Sequence, residues 1–175
     1  PNAFNYVNEG DTPFSYACES GNLDVAKWLY AQNKNIDISF DDETPFCCAC
    51  ENGYLEVAKW LLEIKPEIDL TVDDNYAFSR ACENDQMPVV RWIYEKIKEQ
   101  NIKENGSLPQ NEINALTNQM LGISSDNEYL FRYATLNNNY RVAKFLIEVK
   151  PDIDITINNH EIFESVCQNN FSRIA

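Results

Sequence analysis

Histidine is almost missing from this chain: His160 is the single one among 175 residues. The cysteines do not make up for it as metal ligands. Cys47-Cys48-Ala49-Cys50 lacks the paired CxxC spacing of a zinc site, and His160 lies far from it in sequence. Basic residues are also scarce, 14 Lys+Arg against 28 Asp+Glu, for a net charge of −14. That field repels polyanions, so neither nucleic acid nor anionic membrane is expected as a partner; the acids either favour a basic protein surface or serve solubility alone. No apolar run approaches the roughly 18–20 residues that span a bilayer. Residues Pro1 to Gly10 have neither the basic nor the apolar stretch of a secretory signal. The first residue is Pro rather than Met, so the native start is expected to lie upstream. Catalytic spacings are missing too. There is no Ser/His/Asp arrangement, no Gly-rich phosphate loop and no metal-ligand pair, so neither an enzyme nor a cofactor is expected.

What is present is a repeat. Hydrophobic residues make up 44% of the chain, enough for a core. Ala17-Cys18-Glu19-Ser20-Gly21-Asn22-Leu23-Asp24-Val25-Ala26-Lys27-Trp28-Leu29 recurs 32 residues later as Ala49-Cys50-Glu51-Asn52-Gly53-Tyr54-Leu55-Glu56-Val57-Ala58-Lys59-Trp60-Leu61. A third copy starts at Ala81, and a fourth, 53 residues further on, at Ala134. A fifth begins at Phe163 and stops at Ala175, which aligns with Ala26 and Ala58 in mid-helix. The native protein is therefore expected to continue.

Each copy reads as two short helices and an arm. Thr12-Pro13 and Thr44-Pro45 supply an N-cap and a first helical residue. Phe14, Ala17 and Cys18 fall on one face, as do Phe46, Ala49 and Cys50. First helices are expected to start near Thr12, Thr44, Tyr76, Tyr129 and Glu161. Gly21 and Gly53 end them in the left-handed conformation that glycine adopts at no cost. The second helix carries a wide apolar stripe, including the column Trp28, Trp60, Trp92 and Phe145, read as inter-repeat core. Alternation in Ile36-Asp37-Ile38-Ser39-Phe40, Ile68-Asp69-Leu70-Thr71-Val72 and Ile153-Asp154-Ile155-Thr156-Ile157 predicts extended arms, with turns at Asp41-Asp42 and Asp73-Asp74. Cys18, Cys50, Cys82 and Cys167 share one apolar slot, which reads as reduced core thiols.

Helix, Gly turn, helix and arm, at about 33 residues per unit, resemble ankyrin repeats over nearly the whole chain. Thr12-Pro13-Phe14-Ser15-Tyr16-Ala17 stands where that family has T-P-L-H-x-A, and Gly21-Asn22-Leu23 where it has Gly-His-Leu. The phrasing Glu56-Val57-Ala58-Lys59-Trp60-Leu61-Leu62-Glu63-Ile64-Lys65-Pro66 is similar to ankyrin proteins of giant amoebal viruses. The expected fold is a mainly α ankyrin-repeat solenoid of period 32, with units at about 5–36, 37–68, 69–121, 122–153 and an incomplete 154–175. The 21 extra residues of the third unit fall at about 99–121. They read as a lengthened second helix to Lys103, a break at Asn105-Gly106-Ser107-Leu108-Pro109, and an extra helix from Asn111 to Leu121 that either shields one side of the stack or serves as a docking element.

In a solenoid, slots that repeat are packing and slots that vary are surface. The resemblance implies that partners meet the exposed end of the first helix and the arm tips. On the helices this gives Tyr16, Glu19, Ser20, Glu51, Asn52, Arg80, Glu83, Asn84 and Tyr133. On the tips it gives Phe40, Asp41, Glu43, Asp73, Asn75 and Glu128. The expected function is non-catalytic binding of a basic protein partner on a concave, acidic face, in the cytoplasm (of the host cell, if viral), by a monomer or part of a larger chain. A structural virion component and a substrate adaptor arm of a ubiquitin ligase are the alternatives.

Overall fold

Thr12 opens the first helix as the sequence predicts. Its Oγ1 accepts the Ser15 amide at 3.1 Å, and Pro13 takes the first helical position, where a missing N–H costs nothing. The structure, a computed structural model, describes residues 12–38, 40–123 and 128–153, with 40–43 given by backbone alone. The expected fifth unit, with its helix start at Glu161, Cys167 and His160, lies outside the described residues, as does most of the third arm.

The described chain folds as α1 (Pro13–Glu19), α2 (Leu23–Gln32), α3 (Phe40–Glu51), α4 (Leu55–Ile64), α5 (Val72–Glu83), α6 (Met87–Asn105), α7 (Gln110–Met120), α8 (Tyr129–Leu136) and α9 (Tyr140–Val149). Four antiparallel pairs, α1/α2, α3/α4, α5/α6 and α8/α9, stack in order. The first helices form one layer, because α1 packs on α3, α3 on α5 and α5 on α8. Each first helix buries the same phenylalanine: Phe14, Phe46, Phe78 and Phe131.

The seams between pairs are aromatic and keep one register. Phe14 lies 6.1 Å from Trp60 in the next pair, and Phe46 lies 6.2 Å from Trp92. Tyr30 meets Trp60 edge-on at 5.8 Å, and Tyr94 meets Phe145 in the same way at 5.4 Å. One member of the expected core column departs. Trp28 is 56% exposed, against 9% for Trp60 and 3% for Phe145. Each buried member is covered by the pair before it, and among the described residues none precedes α1.

The turn inside each pair is left-handed. Gly21 and Gly53 have φ of 71° and 78°, while the matching slots later in the chain hold Asp85 at 54° and Asn138 at 62°. A neighbour explains where glycine is needed. A Cβ on Gly21 would collide with the ring of Tyr54, and one on Gly53 with the side-chain amide of Gln86. In the next pair the corresponding residue is the shorter Asn139, whose Nδ2 donates to Glu83 O at 2.8 Å and caps α5 from outside. A Cβ at Asp85 is thus accommodated, at the cost of its φ and of a buried carboxylate oxygen without a hydrogen bond. Asp85→Gly is expected to raise stability by about 0.5–1 kcal/mol, the relief of left-handed strain less the entropy of an added glycine. Burial raises the Asp85 pKa despite Arg141 nearby. A raised carboxyl pKa means that the folded state resists ionisation, so the penalty is present at neutral pH and fades as pH falls through the carboxylate range. Urea titrations of Asp85→Asn and the parent should accordingly diverge at pH 7 and converge only below pH 3.8, the ordinary aspartate value.

The arms differ from expectation: no strand occurs among the described residues. The alternation is real, since Ile38, Ile68, Leu70 and Ile153 are buried. The backbone, however, satisfies itself locally. Asp69 Oδ1 accepts Thr71 N at 2.8 Å and Thr71 Oγ1 at 2.7 Å, and Val72 N reaches Asp69 O. Asp73, Asp74 and Asn75 then turn through three left-handed residues at the head of α5. Regular helix resumes at Tyr76, the start the sequence predicts. Helix α3 begins earlier than the predicted Thr44, at Phe40, with Pro45 inside it.

The insertion is helical as expected, and it is tied into the stack. Asn101 Nδ2 donates to Thr117 Oγ1 at 3.0 Å, joining α6 to α7 in a buried setting. Asn118 Nδ2 donates to Val149 O at 2.9 Å, closing the end of α9.

Candidate interaction face

Because the first helices lie side by side, one slot per helix lines up into a row. The slot after each buried Ala-Cys step, or Ala134-Thr135 in the fourth pair, holds Glu19, Glu51, Glu83 and Leu136. One turn earlier stand Tyr16, Cys48, Arg80 and Tyr133. Tyr16, Glu19, Ser20, Asn52, Asn84 and Leu136 are exposed, and Glu51, Arg80 and Tyr133 are partly so.

The acidic row is graded. Glu19 stands in the open. Glu51 accepts Arg80 Nη2 at 3.3 Å. Glu83, whose side chain is only 10% exposed, accepts Arg80 Nη1 at 2.6 Å on one oxygen and Tyr129 Oη at 2.9 Å on the other. Arg80 also lies 5.5 Å from the Tyr76 ring. The third carboxylate thus serves to hold α5 to α8, and Arg80 divides the face into an acidic end on α1 and α3 and an aromatic end on α8. At that end Tyr129 and Tyr133 have ring centroids 5.9 Å apart beside exposed Leu136. Tyr129 is absent from the sequence-predicted site. Leu136, an expected first-helix contact slot, is apolar where the matching slots are acidic.

Other predicted residues have structural duties. Asn52 Nδ2 donates to Cys48 O at 2.9 Å and Asn84 Nδ2 to Arg80 O at 3.0 Å, each closing the C-terminus of its helix, as Asn137 does at Tyr133 O. Of the tips, Asp73 is exposed and Asn75 partly buried; the side chains of Phe40, Asp41 and Glu43 lie outside the described residues. Glu128 is a correction. It is buried in an ion pair with Lys150, in left-handed conformation at the head of α8, so its carboxylate is not offered to a partner.

Cys18, Cys47, Cys48, Cys50 and Cys82 are thiols, and Cys48 alone of these is partly exposed. Burial pushes the Cys18 pKa up to about 12. Cys48 is raised first by burial and then by the Glu19 and Glu51 carboxylates. Since the thiolate is the nucleophile, a raised pKa slows its reaction. Glu19→Gln is therefore expected to speed alkylation of Cys48 at pH 8, read by peptide mass mapping. An unchanged rate would mean that Glu19 does not set the field there.

Elsewhere, a groove of about 640 Å³ lies between the turn after α4 and the lengthened α6, lined by Leu62, Ile68, Lys96, Lys103 and Met120 among others. Lys96 is paired with Glu99 at 2.8 Å, and Glu67 and Asp69 share the rim, so the groove has no single sign. No helix among the described residues is long and apolar enough to cross a membrane. No group of three His, Cys, Asp or Glu gathers among them for a metal ion.

Stacked helix pairs with left-handed turns and a layer of variable first-helix slots define a helical repeat solenoid. A family model described as ankyrin repeats, in three copies, matches residues 2–74 and 31–106. The chain belongs to the ankyrin repeat family, whose repeats are protein–protein interaction modules and typically not catalytic. A search of the curated proteins gives no match.

Proposed function

We propose that this chain holds a partner protein, through a basic segment, on the face made by its first helices. The observation that carries the reading is the internal comparison. Slots that repeat, such as Phe14, Phe46, Phe78 and Phe131, are buried, and slots that vary stand exposed in one layer. In this reading Glu19 and Glu51 steer the partner's lysine or arginine side chains. They stand on neighbouring helices about 10 Å apart, close to the Debye length at physiological salt, so their fields add. Tyr16 and Tyr133 supply aromatic anchors. Arg80 limits the acidic surface to the α1–α3 end, and Asp73 borders it from the arm. In this reading residues 1–175 act as a single solenoid, in the cytoplasm.

Selection of peptides from a random display library on the whole chain tests this. Enriched sequences should be rich in Lys and Arg. Glu19→Lys combined with Glu51→Lys should slow their association at low salt by about tenfold or more, the scale of electrostatic steering. Glu83 is left intact in that variant because its carboxylate joins α5 to α8. Acidic or apolar selections, or association unaffected by the double reversal, would overturn the reading.

A further inference from the structure

The variable row is narrow. Each first helix offers two slots one turn apart: Tyr16 with Glu19, Cys48 with Glu51, Arg80 with Glu83, and Tyr133 with Leu136. Such slots stand about 5–6 Å from one another. Asn52, Asn84 and Asn137 border the row on one side, where their amides donate back to their own helices. A strip two slots wide takes one extended chain rather than a helix of about 10–12 Å diameter. Along the strip the slots recur about every 10 Å, the spacing of packed helices. Polyproline II backbone keeps that step, because it turns once in three residues and advances about 9 Å. A β-strand repeats its facing about every 7 Å and falls out of step.

The two ends of the strip ask for different chemistry. Glu19 and Glu51 suit cations. At the α8 end Leu136 is 41% exposed beside Tyr133, whose ring is backed by Tyr129. Tyr129 is itself fixed by its bond to Glu83. Glu83, the carboxylate at this end, is already bonded to Arg80, so the end suits an apolar side chain rather than a cation. We propose that the partner segment is a polyproline II stretch that faces the stack with every third residue. It carries Lys or Arg at two positions three apart, on Glu19 and Glu51. An apolar side chain follows about nine positions from the first, three helix steps along, on Tyr133 and Leu136. The facing position between them meets Arg80 and Glu83, which satisfy each other, and is uncharged. This deepens the function proposed above and rests on its acidic face.

The test measures fluorescence anisotropy of labelled peptides on the whole chain. The reference peptide has Lys at its first and fourth positions and Leu at its tenth, on a Pro/Ser background. It is made in both chain directions, and the tighter binder is used. A second peptide of the same composition moves Leu to the eighth position, a third of a turn off the facing side. It should bind about tenfold more weakly, the loss of one buried apolar contact. On Leu136→Ser, an exposed substitution that leaves the fold intact, the two peptides should bind alike. Equal affinities on the unaltered chain, with binding still weakened by Glu19→Lys and Glu51→Lys together, would overturn the spacing and leave the acidic face standing. Binding untouched by that double reversal, or no binding by any peptide, would overturn both. Tighter binding by an Ala-rich helical peptide with Lys seven residues apart would overturn the extended form.

Discussion

Phe46→Ala is expected to lower stability by about 3–5 kcal/mol, the cost of emptying a fully buried phenylalanine site. Phe46 is 0% exposed and sits in an inner helix pair, where it packs on Trp92 of the next pair. Neighbouring pairs in a repeat array stabilise one another, so a cavity here weakens α3 and its seam together. Equilibrium urea unfolding measures the loss. Trp28→Ala, at the slot that recurs as buried Trp60, should cost less than about 1 kcal/mol in the isolated chain, because exposed substitutions seldom cost more. Equal losses at Trp28 and Trp60 would contradict the seam geometry.

Gly21→Ala is expected to cost about 2–3 kcal/mol, combining a left-handed backbone with overpacking. At φ of 71° a Cβ is disfavoured in itself, and here it would run into the Tyr54 ring. Gly53→Ala should cost less, about 1–2 kcal/mol, since its backbone strain is the same but the group in the way is the mobile amide of Gln86. Tyr54→Ala placed on Gly21→Ala should recover the steric part and leave the backbone part. A double variant no more stable than Gly21→Ala would remove Tyr54 from the explanation.

Most of the architecture was legible because the repeat is its own alignment. The Thr12 cap, the glycine turns and the buried phenylalanines follow from slots that recur, and the helical insertion from the break in that recurrence and its own apolar spacing. Two kinds of feature escaped. The arms read as extended from their alternation, but period two reports only that Ile68 and Leu70 face inward. It does not report that Asp69 would hold Thr71 in a turn, which is a side-chain to backbone bond of a single arm. The second kind is long-range pairing. Glu83 looked like Glu19 and Glu51 because all three share a slot. Its withdrawal from the surface depends on Arg80 in its own helix and on Tyr129, which lies 46 residues away. Glu128 looked like an arm tip, and its burial depends on Lys150, 22 residues on. The tilt of the face toward an acidic α1–α3 end and an aromatic α8 end therefore required the fold.

The partner is expected to meet the face made by the first helices. Titrating the isotope-labelled whole chain with a display-selected basic peptide, and mapping backbone amide shifts, addresses that directly. The predicted footprint runs along the first helices, at Glu19, Ser20, Glu51, Asn52 and Arg80, with Val25 and Trp28 unaffected. Shifts confined to α7, Gln110–Met120, or to the groove beside Lys103 would place the partner on the insertion instead and contradict the account.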